Sequence, residues 1–320
     1  MELVNLSNAD CDNEALLGNS EGALASFLQE EGLDGVELLP CAPWNSALHP
    51  ADLVQGVHLR YWPSWVAFFL GDHETLAREF PRSEDVRAYY GTDTRDGWIA
   101  LLRAHIREAL APKPMYAVFH VADAPSYGLY SRRFPYDDAA VADAAVALLN
   151  EVADVLPEDC WLLLENLWWP GLTFTNPKIA ERLIAGIHHR RTGFMLDVGH
   201  LLHTELSLSN EREAADYVLR VYEGMGSLRD LVKGLHLHQS LTGDFVRQMM
   251  EEHPRGFVPL SPQACMDYVL TVDAHLPFRT EAVRRIVETV GPDYLVHEFM
   301  VISREDWKNK LHIQRNALGF

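Results

Sequence analysis

Short apolar runs alternate with helical patterns along most of the chain. Each run has five or six residues and is mostly apolar, which is typical of a strand covered on both faces. The runs predicted as strands are ELVNLS (2–7), DGVELL (34–39), GVHLR (56–60), YAVFHV (116–121), WLLLEN (161–166), GFMLDV (193–198), KGLHLH (233–238) and YLVHEF (294–299).

Helical periodicity separates most of these runs, with apolar residues every three or four positions. Helices are predicted at 21–31, 96–110, 138–156, 211–225 and 280–290. Eight strands alternating with helices favour an α/β fold, a single-domain (β/α)8 TIM barrel over residues 1–320. The count depends on GVHLR, so an open doubly wound sheet is the alternative. No GxGxxG follows the first strand, which disfavours the dinucleotide-binding form of that sheet.

Ionisable residues lie at the carboxyl ends of six predicted strands. A lone buried carboxylate such as Glu165, which ends WLLLE, is costly unless it is paired or bound to a metal. In a barrel the strand ends converge on one mouth, so we expect these residues to meet and bind divalent metal. Histidine with carboxylate suits Zn²⁺, Mn²⁺, Fe²⁺ or Co²⁺. The six are His58, His120, Glu165, Asp197, His236 and Glu298.

Two short spacings add candidates to this set. Asp197 and His200 enclose the turn after GFMLD, and Asp273 and His275 form an Asp-x-His pair between the last two strands. Either spacing alone is a weak signal. With the six strand-end residues they make nine predicted metal ligands.

Composition and charge narrow the possible partners. Hydrophobic residues make up 48% of the chain, enough for a sizeable core, and the formal net charge is −19. Such a surface repels phosphate backbones and anionic membranes but not one small anion in a metal-containing pocket. We therefore predict a small-molecule substrate, no duplex nucleic acid and no membrane. The oligomeric state is left open.

The cellular compartment is predicted from the lack of an apolar membrane-spanning run and of a signal peptide, and from the spacing of the cysteines. No run of 18 apolar residues is present, and the first residues show no signal-peptide pattern. The four cysteines are widely spaced and are predicted to be reduced thiols. These features together predict a cytoplasmic protein.

Several stretches in this order resemble the xylose-isomerase-like TIM barrels. This superfamily includes sugar isomerases and epimerases as well as endonuclease-IV-type apurinic endonucleases. The resemblance covers about residues 34 to 300. The stretches are FHVADA, LLLENLWW, GFMLDVGHLLHT, KGLHLHQS, VDAHLPF and YLVHEF.

The resemblance implies one of two metal sites. The isomerase branch implies one ion held by Glu165, Asp197, His236 and Glu298. The endonuclease-like branch implies three zinc ions and the further ligands His58, His120, His200, Asp273 and His275. Residues of suitable type stand at all nine positions, which favours the multinuclear site with Zn²⁺ as the first expected ion.

The predicted function is metal-dependent hydrolysis of a phosphoester of a small ring-bearing metabolite, for example one that is nucleotide- or cobamide-like. DNA repair is left out because the loop LPCAPWNSALHPADL has no Lys or Arg. The first alternative is a single-metal sugar or sugar-phosphate isomerase or epimerase with Glu165 and Glu298 as its acid/base pair. The second is a non-catalytic metal- or ligand-binding barrel.

Catalytic and substrate-binding residues complete the hypothesis. His238 points to the same side as His236 and is predicted to contact substrate or orient a ligand, whereas His297 should face the helices. Loop packing is the alternative for the tryptophans, and a surface ion-pair role is the alternative for the arginines. The predicted catalytic residues are Glu165, Glu298 and His238, and the predicted substrate residues are Trp62, Trp168, Trp169, Arg132 and Arg133.

Overall fold

The computed structural model describes residues 1–254 and 259–320. Eight parallel strands close into a barrel in chain order, with the first strand paired to the last. The strands are β1 (Glu2–Ser7), β2 (Gly35–Leu39), β3 (Val54–His58), β4 (Tyr116–His120), β5 (Trp161–Glu165), β6 (Thr192–Asp197), β7 (Val232–Leu237) and β8 (Tyr294–His297). The predicted TIM barrel is therefore confirmed.

Helices surround the barrel. Within the described residues, none is both long enough and apolar enough to cross a bilayer. The α-helices are α1 (Asp10–Leu17), α2 (Ala23–Glu31), α3 (Val66–Leu70), α4 (His73–Glu79), α5 (Ser83–Tyr90), α6 (Arg95–Ala109), α7 (Asp138–Val152), α8 (Pro177–Gly186), α9 (Val198–Leu202), α10 (Glu211–Gly224), α11 (Gly243–Glu252), α12 (Pro262–Val272), α13 (Ala282–Val290) and α14 (Arg304–Leu318).

The weakest predicted strand, β3, pairs with both of its neighbours. It carries Gly56 where the barrel interior is crowded. A Cβ at Gly56 would lie 2.1 Å from Cζ of the Tyr116 ring, so only glycine leaves room for that ring. The long segment between β3 and β4 holds three additional helices, α3 to α5, before the crossover helix α6.

Apolar side chains fill the barrel interior on the side of the amino ends of the strands. Leu3, Tyr116, Leu163, Met195 and Val296 belong to one buried cluster, contributed by five different strands. Because this cluster closes the amino-terminal half of the barrel, polar side chains collect at the carboxyl ends of the strands. The parallel register pairs His120 with Glu165 and Asp197 with His236, so these residues lie side by side.

A polar clasp joins the first strand, the last strand and the last helix. The Glu2 carboxylate accepts hydrogen bonds from His297 and Arg315, both at 2.7 Å. On the other side of the His297 ring, Nδ1 accepts a hydrogen bond from the Gln314 amide at 2.8 Å. Burial alone would raise the pKa of Glu2, but these two hydrogen bonds lower it to about 2. His297 therefore faces the helices and holds the β1–β8 seam closed.

Replacing Glu2 with Gln keeps the shape of the clasp and removes its charge. We expect the free energy of unfolding to fall by about 1–3 kcal/mol near neutral pH, the usual cost of hydrogen bonds to a charged group. The folded-state pKa is lowered, so the ionised carboxyl stabilises the protein above its ordinary pKa of 4.5 and ceases to do so as the pH falls toward about 2. Denaturant titrations of parent and variant from pH 7 to pH 3 should show a narrowing difference. A constant difference would contradict the clasp.

Candidate metal centre

Nine histidine and carboxylate side chains predicted from the sequence meet at the carboxyl mouth of the barrel. Glu165, Asp197 and His236 are completely buried, while His58 and Glu298 keep 10% and 14% of their side chains exposed. Suitable donor atoms fall into three groups, each with all atoms within 4.8 Å of one another. We call them the edge group (His58, His120, Glu165), the inner group (Glu165, Asp197, His236, Glu298) and the outer group (His200, His238, Asp273, His275).

Glu165 belongs to two of these groups because its two oxygens face different neighbours. Oε2 accepts a hydrogen bond from His58 Nε2 at 3.0 Å and lies 3.1 Å from His120 Nε2. Oε1 lies 3.1 Å from His200 Nδ1 and 3.3 Å from His236 Nδ1. This geometry is that of a carboxylate able to bridge two cations.

The inner group is arranged around the Nδ1 atom of His236. Oxygens of Glu298 and Asp197 lie 3.2 Å and 3.5 Å from this atom. Burial, together with the nearby Asp197 and Glu165 carboxylates, raises the pKa of Glu298 to about 7, against the opposing effect of the neighbouring histidines. Glu298 is thus a carboxyl that can gain or lose a proton near neutral pH.

The outer group is held together by Asp273. Oδ2 of this residue lies 3.1 Å from His200 Nε2 and 3.4 Å from His275 Nδ1. The backbone of His275 has φ +45°, a conformation that few non-glycine residues adopt and that is often found at functional sites. The backbone amides of Ala274 and His275 donate to Ser240 Oγ, and this hydroxyl in turn donates to Asp273.

The turn after β6 explains the Asp-x-Gly-His spacing. Asp197 is the N-cap of α9, and its Oδ1 accepts the backbone amide of His200 at 2.6 Å. Asn166, which follows Glu165, exchanges hydrogen bonds with the Asp197 backbone, and its own carbonyl accepts from His200 Nδ1 at 2.9 Å. That bond places the proton on Nδ1 and leaves Nε2 of His200 directed at the outer group.

The negative charges of the buried carboxylates are not balanced by lysine or arginine side chains that the structure describes. Among the described residues, no Lys or Arg forms an ion pair with Glu165, Asp197, Asp273 or Glu298. Several buried nitrogen and oxygen atoms of the three groups also have no hydrogen-bond partner in the described part of the chain. These atoms are His120 Nε2, Glu165 Oε1, His236 Nδ1, His238 Nδ1 and Glu298 Oε2. Buried acids facing unpartnered ring nitrogens fit divalent metal ions.

Sequence reasoning missed Glu37 on β2. This carboxylate is 2% exposed and accepts hydrogen bonds from His236 Nε2 at 3.0 Å and from the Tyr116 hydroxyl at 2.8 Å. It therefore fixes the His236 tautomer whose Nδ1 is free to bind a cation. One signal was available, because Glu37 is an acid inside the otherwise apolar run GVELL.

The three tryptophans predicted to bind substrate are buried in the structure, and their role as substrate residues stays a prediction. Trp62 is 6% exposed and packs edge-on against Trp98, and Trp169 is 4% exposed. Trp168 is also buried, with its ring 5.2 Å from that of His200. The rings are therefore occupied by packing, and Trp168 supports the outer group from behind.

The two arginines are in different situations. The Arg132 guanidinium donates to the backbone carbonyls of His203 and Trp168 at 3.0 Å and 2.8 Å. It therefore ties together the loops after β5 and β6, and its role as a substrate residue stays a prediction. Arg133 lies next to it in the same loop, and its role as a substrate residue stays a prediction.

Replacing Glu37 with Gln removes the charge behind His236 at nearly constant volume. We expect the affinity of the inner group for a divalent ion to fall about 10–100-fold, as is typical for loss of a partner behind a metal-binding histidine. Competition with a fluorescent chelator would measure it. Glu2→Gln is the matched control, because Glu2 also hydrogen-bonds a buried histidine but faces the helices. Equal affinity in the parent and the Glu37 variant would refute this role.

Comparisons with known proteins rest on structure. No protein-family model matches the sequence, and no curated protein does. The chain is similar to the solved structure of a D-tagatose 3-epimerase-like protein, with 15% identity, a TM-score of 0.52, and coverage of 100% of this chain and 97% of that one. It is also similar to endonuclease IV from Thermus thermophilus, with 16% identity, a TM-score of 0.50, and coverage of 99% and 98%. At such identities these likenesses establish the fold, and the chain shares its (β/α)8 barrel with these two proteins.

Proposed function

We propose that the chain is a multinuclear, divalent-metal-dependent hydrolase that cleaves a phosphoester of a small metabolite. The observation that carries the proposal is the presence of three donor groups, two of them joined through Glu165. A single-metal enzyme needs only the inner group. In a single-metal enzyme, the histidines and the aspartate of the edge and outer groups would have no role in metal binding, although their burial costs desolvation energy.

The donor counts differ between groups in a way that suits hydrolysis. The edge group offers three protein donors, whereas the inner group offers four. Three protein donors leave a coordination position open for water or substrate, and four close a tetrahedral site. His58 and His120 are 10% and 15% exposed, so water or substrate could reach a cation held by the edge group from the solvent side of the mouth.

Divalent ions bound in these groups would supply a water of lowered pKa and stabilise negative charge on a phosphoryl group. The residues of the chain hold and orient the reacting parts. Glu165 sets the spacing between the edge and inner groups. Glu298, which keeps 14% of its side chain exposed at the mouth, is the proposed donor of a proton to the leaving oxygen or acceptor of one from water.

The proposed substrate is small and anionic rather than a nucleic-acid duplex. The net charge of −19 and the loop at 39–53, which has no Lys or Arg, both disfavour a phosphate backbone. Three divalent ions would outweigh the four carboxylates of the donor groups and make the mouth locally positive. Because the tryptophans are buried, the proposed substrate need not carry a ring.

One observation favours a second candidate, a single-metal sugar isomerase or epimerase. Glu165 and Glu298 both belong to the inner group, and a pair of carboxyls on either side of a metal-bound sugar can remove and return a proton on carbon. The similarity to a D-tagatose 3-epimerase-like protein is consistent with this reaction. Under this candidate, the inner group alone is needed for activity.

Replacing Glu165 with Gln should abolish turnover in both candidates while the fold persists. A glutamine side chain at this position would have nearly the same volume but could not bridge two cations. We therefore expect activity to fall by more than about a hundredfold. This loss is larger than the one expected when a residue that only hydrogen-bonds a metal ligand is replaced. Steady-state assays with bis(p-nitrophenyl) phosphate and with ketoses, alongside metal analysis per chain, would measure it. A variant with near-parental rates would remove Glu165 from the mechanism.

Replacing His58 with Ala separates the two candidates. For the hydrolase we expect loss of one of about three bound ions and of phosphodiester cleavage, because the open coordination position is lost. For the epimerase we expect ketose epimerisation to persist, with one ion per chain in the parent. His105→Ala is the control, since His105 contacts Arg60 in the same sector and belongs to no donor group.

A further inference from the structure

His238 lies where the inner and outer groups meet. The side chain is completely buried, and its Nε2 donates a hydrogen bond to Asp197 Oδ2 at 3.0 Å. Nδ1 faces the outer group, lies 3.8 Å from Asp273 Oδ1, and has no hydrogen-bond partner among residues 1–254 and 259–320. A buried ring nitrogen without a partner is costly, so its position has to be explained.

The hydrogen bond to Asp197 fixes which nitrogen of the His238 ring is free. Because Nε2 carries the donated proton, Nδ1 of the neutral ring carries a lone pair, the state in which histidine binds a metal. The ring stacks on His275 with 4.1 Å between centroids and an interplanar angle of 11°. This stacking brings Nδ1 beside the other outer-group donors and keeps it from turning away.

Gly199 makes this placement possible. A Cβ on residue 199 would lie 2.0 Å from Cε1 and 2.3 Å from Nδ1 of His238. The contact is with a ring that is held by its hydrogen bond to Asp197 and by stacking on His275, so the ring could move away from a Cβ only by giving up both interactions. Glycine in the Asp-Val-Gly-His turn therefore serves the approach of His238.

We propose that His238 is a fourth ligand of the outer group, binding through Nδ1, and that its Nε2–H bond links this ligand to Asp197 of the inner group. The inference deepens the proposed function and rests on it only in requiring divalent ions at the centre. Three imidazoles and one carboxylate form a closed, Zn²⁺-type tetrahedral set. The outer ion is thus structural, and substrate binds at the edge group, where the donor set is incomplete.

The test is metal binding by His238→Gln and Gly199→Ala, measured without reference to turnover. Protein loaded with ¹¹³Cd²⁺ gives separate NMR signals for nitrogen-rich and oxygen-rich donor sets. We expect the nitrogen-rich outer signal to be lost in His238→Gln, with its ion removed by chelator at least about a hundredfold more readily. Gly199→Ala should lose the same signal although His238 is present, because its Cβ displaces the ring.

His297→Gln is the matched control for removing a buried histidine, since His297 lies on the helix side of β8 and belongs to no donor group. It should lower the melting temperature and keep all ¹¹³Cd signals. Retention of the outer signal in His238→Gln, loss of the oxygen-rich signal instead, or absence of an outer ion in the parent would each overturn the proposal. A parent with three ions and no phosphodiester cleavage would contradict the proposed function while leaving the His238 assignment intact.

Discussion

The whole centre depends on neutralising buried carboxylates that no lysine or arginine of residues 1–254 and 259–320 pairs with. Four acids of the donor groups, with Glu37 behind them, occupy the end of a barrel whose interior is otherwise apolar. Unpaired burial of even one such charge is prohibitive, so every acid is placed beside imidazole nitrogens. The result is a site whose charge is balanced only when histidines are protonated or when cations are present. Both Glu37 and Asn166 fix histidine tautomers in the state that favours cations.

The barrel keeps these charged side chains apart from the apolar side chains that pack its interior. Tyr116 marks the boundary, because its ring belongs to the apolar cluster and its hydroxyl reaches Glu37. Glycine appears where a ring must approach a backbone closely, at Gly56 under Tyr116 and at Gly199 beside His238. These positions link the fold to the site, since a side chain at either one would displace a residue that acts on a metal-binding group.

Much of this organisation was readable from the sequence. The eight strands and their carboxyl-terminal His, Asp and Glu residues follow from periodicity, because parallel barrel strands bring their ends to one mouth. Glu37 could not be placed in the same way, because whether an acid inside a strand faces the barrel or the helices depends on register. The surroundings of the tryptophans and of Arg132 could not be predicted for a related reason. The residue type shows only that a side chain could bind a substrate. The three-dimensional structure is needed to show that Trp62 packs against Trp98 and that Arg132 donates to a backbone carbonyl.

The clasp around His297 has a consequence for how the protein matures. His297 is followed in the sequence by Glu298 of the inner group, and the seam that His297 closes needs Glu2 from the first strand and Arg315 from the last helix. During synthesis the ribosome releases Arg315 long after Glu2 has emerged, because the two lie near opposite ends of the sequence. The nascent polypeptide therefore carries its histidines for most of translation without the acid that completes the inner group. A cation held by all four inner-group residues would therefore be bound only after the last strand has joined the barrel.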